Sequence, residues 1–351
     1  MRFFDFDVSN DFESAERLDK YIASVCPEMN RSKLKSGATE VLLNGKKAKL
    51  SSIVRAGDRI EFAWEENTPD DIEPENIPLD IIYEDENVTV VNKAQGMVTH
   101  PACGNWSKTL VNALLFHWGR GALSLDENLK TTDSESDELN DFLNEENEQS
   151  VLNLRRPGIV HRLDKDTSGI IITAKNRESE EWLLSQFKDH DKITKEYICI
   201  CSGHPKQIKG EIKTFIIRNP SNRKRFKALR VKANEKIPEN AKFACTKYRC
   251  VACYGPYSLM KVIIKTGRTH QIRVHMKYIG CPVTGDTFYA NTSKGTILEG
   301  ATLMLHSYRL KIRLPFSAEY TVFTAPVPLR FKKAIKVLRS RFKKSLPPEK
   351  C

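Results

Sequence analysis

Residues 161–169 read HRLDKDTSG, and three isoleucines follow at 170–172. Nine residues thus hold an imidazole, a guanidinium, two carboxylates, a lysine and two hydroxyls beside a segment built for burial. A carboxylate between a hydroxyl-rich turn and a core strand stands at the rim of that core, where it can act on a bound molecule. The same residues also suit a plain turn in which Asp164 or Asp166 bonds its own backbone. Three other stretches offer partners. KTGRTHQIRVHMKYIGCP (265–282) reads as a helix capped by Thr269, with Ile272, Met276 and Ile279 inward, Gly280 as its stop and Pro282 beyond. Arg273, in the first turns, can reach inward to an acid from elsewhere. In the strand KEYICICSG (195–203), Lys195, Tyr197, Cys199 and Cys201 share a face, and Tyr197 offers a flat ring for stacking. IRNPSNRKRFKALR (217–230) carries six basic residues, Arg223, Lys224 and Arg225 among them. Such a loop suits a nucleic-acid backbone, with Phe226 available to stack on a base.

Other chemistries find no support. Cys250 and Cys253 form one CxxC, but no second pair stands at zinc-site spacing. His270 and His275 are five apart, which does not put them on one helical face. HRLD resembles the kinase HRDL only superficially, since neither a glycine-rich loop nor DFG is present. No dinucleotide or nucleoside-triphosphate loop occurs. The expectation is chemistry by side chains alone, with no metal and no cofactor.

The elements that must position these residues fall into two parts. Residues 14–64 form a small basic unit. Its first helix, 14–26, has Ser14 as N-cap and Pro27 as stop, with Leu18, Tyr21, Ile22 and Val25 at helical spacing. A short basic helix, RSKLKS (31–36), precedes strand, Asn-Gly turn and strand in EVLLNGKKAKL, and one more strand ends at Trp64. Arg17, Lys20, Arg31, Lys33 and Lys35 make its phosphate-binding candidates. Residues 65–78, acidic and proline-containing, read as a linker. Beyond it, strands alternate with helices at 107–118 and 177–189, and strands at 193–201, 211–217, 244–253 and 258–266 often follow one another directly. That pattern is α+β rather than doubly wound. The closing LRFKKAIKVLRSRFKKS (329–345) is a basic amphipathic helix that either extends a nucleic-acid surface or covers the domain.

Net charge is +11 over 351 residues. Residues 121–150 carry ten acids and one lysine, which leaves +20 on the rest. That surplus favours a polyanionic partner, because each neutralised phosphate releases condensed counterions. The acidic stretch is too poor in core residues to fold alone and reads as a disordered surface insertion. The acidic start lacks a signal-peptide pattern, and no run reaches the ~18 apolar residues of a membrane span. The nine cysteines form no regular framework. The expectation is a cytoplasmic protein with no membrane partner.

In combination and order, these stretches resemble the RluA family of pseudouridine synthases. The resemblance rests on VNKAQGMVTHP (91–101), RPGIVHRLDKDTSG (156–169), KEYICICSG, RNPSNRKRF, TGRTHQIRVHMKYIGCPVTGDTFY (266–289) and LHSYRLKIRLP (305–315), and spans roughly 80–325. Ala94 stands where the family usually has proline. The first unit resembles an S4 RNA-binding domain, found ahead of the catalytic domain in the branch that modifies large-subunit ribosomal RNA. The resemblance implies a mixed, largely antiparallel sheet flanked by helices over 79–328, with 329–351 as a basic extension. It implies isomerisation of uridine to pseudouridine in structured RNA, most simply large-subunit (23S) ribosomal RNA, by a monomer without nucleotide cofactor. A tRNA-directed enzyme and a non-catalytic rRNA-binding assembly factor are the alternatives. Asp164 matches the catalytic aspartate, which either attacks C1′ or removes the 2′ proton of ribose. Tyr197 matches the residue stacked on the target base, and Arg273 the arginine paired with the aspartate. Arg162 matches the side chain that fills the gap left by the extruded nucleotide. Arg268 and His270 complete the RNA-binding candidates. Extrusion itself costs about a few kcal/mol, which phosphate contacts offset.

Overall fold

The computed structural model describes residues 2–12, 15–26, 29, 31, 34, 37–64, 71–101, 105–120, 123–124, 158–189, 192–222, 224–230, 236–290, 297–298 and 300–345. The chain divides into two units, 1–71 and 72–351.

In the first unit, β1 (Arg2–Asp7), β3 (Ala38–Leu43), β4 (Lys46–Lys47) and β6 (Arg59–Trp64) form a sheet in the order β1-β6-β3-β4. The β3–β4 turn is Asn44-Gly45, both at positive φ (53° and 72°), the geometry an Asn-Gly hairpin favours. Helix α1 (Leu18–Val25) buries Leu18, Tyr21 and Ile22 against Val54, Ile60 and Phe62. Two expectations need correction. The unit begins at residue 2 rather than 14, because RFFDFD pairs along β6 from Arg2↔Trp64 to Asp7↔Arg59, with Phe4 stacked on Phe62 at 4.6 Å. The helix starts at Leu18, because β2 (Glu16–Arg17) is held extended by pairing with β5 (Ile53–Val54). Ser14, Pro27, Lys33 and Lys35 lie outside the described residues; Arg31 and Leu34 are helical, as RSKLKS predicts.

The second unit is α+β. It contains the two-residue strands β7 (Asp71–Ile72, at its edge) and β10 (Leu123–Ser124), and ten longer strands. These are β8 (Ile81–Glu84), β9 (Val88–Lys93), β11 (Ser168–Ala174), β12 (Thr194–Ser202), β13 (Lys209–Arg218), β14 (Phe226–Leu229), β15 (Lys242–Tyr254), β16 (Tyr257–Ile264), β17 (Leu305–Arg313) and β18 (Tyr320–Thr324). They form one sheet, ordered β14-β13-β15-β16-β12-β17-β11-β9-β8, with β18 on β17. Every pairing within it is antiparallel except β11 with β17. The helices are α2 (Leu110–His117), α3 (Arg177–Lys188), α4 (Gln271–Tyr278) and α5 (Leu329–Arg341). The three isoleucines of β11 are buried on both faces: Ile171 joins the larger core, and Ile170 and Ile172 the smaller one beneath α3. A strand covered on both sides has no polar alternation, which is why this segment reads as a continuous apolar run.

The linker reading of 65–78 fails at its far end. Ile72 is buried in the larger core, Asn112 Nδ2 donates to Glu73 O (2.8 Å), and Glu75 Oε1 accepts from Lys108 N (2.8 Å). Those residues belong to the second unit, whereas 65–70 lie outside the described residues. So does the acidic stretch 121–150, apart from the backbone of β10. No helix among the described residues is long and apolar enough to cross a membrane.

Candidate active site

Asp164 lies in the loop that enters β11, and that loop is fastened on every side. Thr167 N donates to Asp164 O (3.0 Å), closing a turn. Thr99 Oγ1 donates to Leu163 O (2.9 Å), and Gly96 N to Lys165 O (2.8 Å). Gln95 Nε2 donates to Asp166 O and to Leu303 O, both at 2.9 Å. Beneath lies Lys93, fully buried, whose ammonium donates to the carbonyls of Ala94 (3.0 Å), Met97 (2.7 Å) and Lys165 (3.2 Å). Burial pulls this ammonium down to about 7, against the raising pull of Asp164 and Asp166. The stretch VNKAQGMVTHP is therefore the cradle of the aspartate loop. At the loop's end, Gly169 has φ +113°, and a Cβ there would stand 2.1 Å from Ser307 O. Only glycine lets β11 come so close to β17, at the sheet's one parallel step.

Arg273 projects from α4 across to this loop. Its Nη1 donates to Asp164 Oδ2 (3.0 Å), while Nε and Nη2 grip Asp286 Oδ2 and Oδ1 (2.8 and 3.0 Å). Asp286, wholly buried, also accepts from Phe288 N (2.9 Å) and Tyr289 N (3.1 Å). The guanidinium lies 5.4 and 5.2 Å from the ring centres of Phe288 and Tyr289. Two-point pairing fixes the plane of an arginine, leaving its third nitrogen aimed at one place. Burial works against the guanidinium's charge, but Asp286 and Asp164 outweigh it and hold the proton more firmly than in water.

His270 stands on the other side of the carboxylate, with Nε2 3.9 Å from Asp164 Oδ2. It, and not Thr269, is the residue before α4, in the left-handed region at φ 54°. Phe226 N donates to the Tyr289 hydroxyl oxygen (2.8 Å), and that hydroxyl meets His270 Nδ1 at 2.9 Å. Burial pushes the Asp164 carboxyl up, but His270, Arg273 and Arg162 together outweigh it, so it is held below the ordinary carboxylate range.

Asp164, Tyr197, Arg273, Arg162, Arg268 and His270 all line one open cavity. Arg162 is exposed and Tyr197 almost wholly buried. Asp166 is exposed, a turn residue only. Some expectations change here. Arg268, an RNA-binding candidate, is buried at the cavity wall, and its Nε donates to Phe243 O (2.9 Å). His270, another such candidate, lines the same cavity beside the carboxylate. Phe226 is half-buried beside Tyr289 and edge-on to His270 (5.6 Å) rather than presented to a base. Lys224 is exposed in the turn before β14, Arg225 is half-buried, and Arg223 lies outside the described residues. Arg17 and Arg31, in the first unit, both bind the buried Asp19 at 2.9–3.2 Å. Sequence reasoning passed over Asp19, Asp286, Lys93 and Gln95. The signal for Asp286 is a lone acid after glycine in the otherwise uncharged CPVTGDTFY. Among the described residues no group of three His, Cys, Asp or Glu is placed to hold a metal ion.

Residues 87–278 match the RNA pseudouridylate synthase family. The chain belongs to that family. The ribosomal large subunit pseudouridine synthase D of Borreliella burgdorferi is 40% identical to it over 325 residues, 91% of this chain and 88% of that one. The protein of the same name from Zymomonas mobilis is 32% identical over 331 residues, covering 92% and 93%. The human protein RNA pseudouridylate synthase domain containing 4 shares the fold, with a TM-score of 0.53 at 20% identity over 76% of this chain and 94% of its own. The chain is thus an RluA-type RNA pseudouridine synthase, an isomerase acting on uridine in RNA. In this synthase the loop with Asp164 and the helix with Arg273 come from stretches 109 residues apart, joined by one charge-assisted hydrogen bond.

Proposed function

We propose that the synthase isomerises uridines in large-subunit ribosomal RNA, with Asp164 as its catalytic carboxylate. The reading is carried by the 3.0 Å contact of Arg273 Nη1 with Asp164 Oδ2 at the wall of an open cavity that Tyr197 also lines. A carboxylate held ionised there is ready either to attack C1′ or to take the 2′ proton. The N1–C1′ bond breaks, the uracil turns, C5 bonds C1′, and the C5 proton is lost as N1 gains one. Tyr197 supplies a ring for the extruded base. Arg162, exposed at the cavity mouth, takes the place that base vacates in the RNA stack. The target follows from relatives 30–40% identical over nine-tenths of the chain that are ribosomal large subunit pseudouridine synthases.

The first unit acts in this reading as an S4-like RNA-binding domain. Asp19 holds Arg17 and Arg31 in place, so two half-exposed guanidiniums share one acid and keep a net positive charge for phosphate. Lys224 and Arg225 add contacts from the β13–β14 turn. The enzyme works as a monomer, which light scattering tests, and in the cytoplasm, a placement that suits seven described cysteines that are all free thiols.

The test is Asp164→Asn. Pseudouridine, mapped by chemical adducts on total RNA, disappears from large-subunit rRNA, and RNA affinity stays within about threefold. Persistent modification removes Asp164 from the mechanism. Loss confined to tRNA reassigns the substrate.

A further inference from the structure

The closing stretch 329–345 holds eight lysines and arginines and no acid. Its helix α5 packs its main apolar side inward: Phe331, Ala334 and Leu338 are buried in the larger core, and only Leu329 and Val337 of its large apolar residues are exposed. The helix is fixed at both ends. Arg330 Nη2 donates to Ser168 Oγ (2.6 Å) and Leu305 O (3.1 Å), so the first turn rests on the segment that carries Asp164. At the far end Cys253 and Ser345 exchange backbone bonds (2.7 and 3.0 Å), and the Phe342 ring lies where any Cβ on Gly255 would stand, 2.4 Å away.

What faces outward is charge without compensation. Elsewhere on this unit, several exposed cations meet acids: Arg177 with Glu181 (2.9 Å), Lys192 with Asp189 (3.1 Å), Lys213 with Glu211 (2.8 Å), Lys261 with Glu196 (3.0 Å). Among the described residues none of Lys332, Lys333, Lys336, Arg341, Lys343 and Lys344 does so, although all are exposed. Lys332 and Lys333 stand near the N-terminus of the helix, where its dipole opposes positive charge. Lys332 and Lys336, four apart, repel each other. Such an arrangement weakens the free helix, and an outside polyanion relieves it.

We propose that the outer face of α5 binds the sugar–phosphate backbone of the substrate RNA next to the target uridine, as a second contact strip about 20 Å long. The proposal rests on RNA being the substrate. An anionic membrane is the other polyanion of this chemistry, but a helix lies in a bilayer surface through a continuous apolar side, and here Phe331, Ala334 and Leu338 are inside the protein, which leaves only Leu329 and Val337 outside.

The experiment compares two variants of equal charge change. One is Lys332→Gln, Lys333→Gln, Lys336→Gln and Lys343→Gln together. The other is Arg177→Gln, Lys192→Gln, Lys213→Gln and Lys261→Gln together. Binding of a structured rRNA fragment is measured by filter retention at several salt concentrations, so the readout needs no turnover. An RNA that the unsubstituted enzyme binds but never isomerises would count against the proposed target and leave this test readable. The helix variant should weaken binding about 10- to 100-fold at moderate salt, and flatten the slope of log K against log salt by up to about 3. The paired-residue variant should change both far less. Equal effects from the two variants, an unchanged slope in the first, or loss of binding to phosphatidylserine vesicles instead of RNA overturns the proposal. If the fourfold variant melts early, Lys332→Gln with Lys336→Gln alone should give about half the change in slope.

Discussion

Asp286→Asn tests how the guanidinium is aimed. The Asp286 carboxylate accepts four hydrogen bonds in full burial, two from Arg273 and two from the backbone of Phe288 and Tyr289. Asparagine keeps one carbonyl oxygen but turns an amide donor toward another donor, so at least one charge-assisted bond, worth about 1.5–3 kcal/mol, is lost. Removing one partner of a buried ion pair outright costs about 3–5 kcal/mol. Asp164 still offers Arg273 one acceptor, which places the loss of stability at about 2–4 kcal/mol, measurable by urea unfolding. With two of its three anchoring contacts weakened, Arg273 no longer holds a single plane. The productive pairing with Asp164 is then a minor state, and the turnover number should fall about 10- to 100-fold, or about 1.4–2.7 kcal/mol in the barrier. KM for RNA should move less than threefold, because Asp286 faces away from solvent. Release of tritium from 5-tritiated uridine in a transcript follows the chemical step. A variant whose turnover stays within twofold of the parent, or whose loss lies wholly in KM, refutes the idea that Asp286 aims Arg273.

Two predictions concern pH. Replacing His270 with glutamine removes the largest of the groups that lower the Asp164 carboxyl, so that pKa rises and the acid limb of kcat/KM shifts to higher pH; an unmoved limb would count against His270 as its neighbour in solution. Burial holds His161 at about 3 and His275 and His306 at about 4, all below the ordinary 6.5. Their folded values are depressed, so the unfolded chain binds more protons as pH falls from 6.5 toward 4. Stability present above 6.5 is lost across that window, at up to about 4 kcal/mol per pH unit when all three titrate. Urea midpoints that barely change between pH 6.5 and 4.5 would mean these imidazoles are not buried neutral.

The strands over 168–174, 194–202, 209–218, 242–254 and 257–264 follow the alternation and apolar runs of the sequence, so most of the sheet was legible within a residue or two. Local pattern could also place Asp164 in a turn before a buried strand. The rest depended on distant partners. RFFDFD alternates like a strand but shows nothing of its mate, β6, over fifty residues away. Ile72 sits in an acidic, proline-flanked stretch whose burial comes from α2 and the larger core. Arg268 and His270 read as RNA-binding candidates, and nothing near them in sequence betrays the Phe243 carbonyl or the Tyr289 hydroxyl that each one meets.

The stitching of the aspartate loop through Lys93, Gln95, Gly96 and Thr99 has a further consequence. Main-chain groups on both flanks of the acid are already occupied, so the carboxylate cannot travel toward a substrate without tearing out several bonds at once. Whatever movement brings sugar and acid together must be made by the nucleic acid. Selection among uridines then becomes a question of which ones an RNA can swing outward to a stationary target.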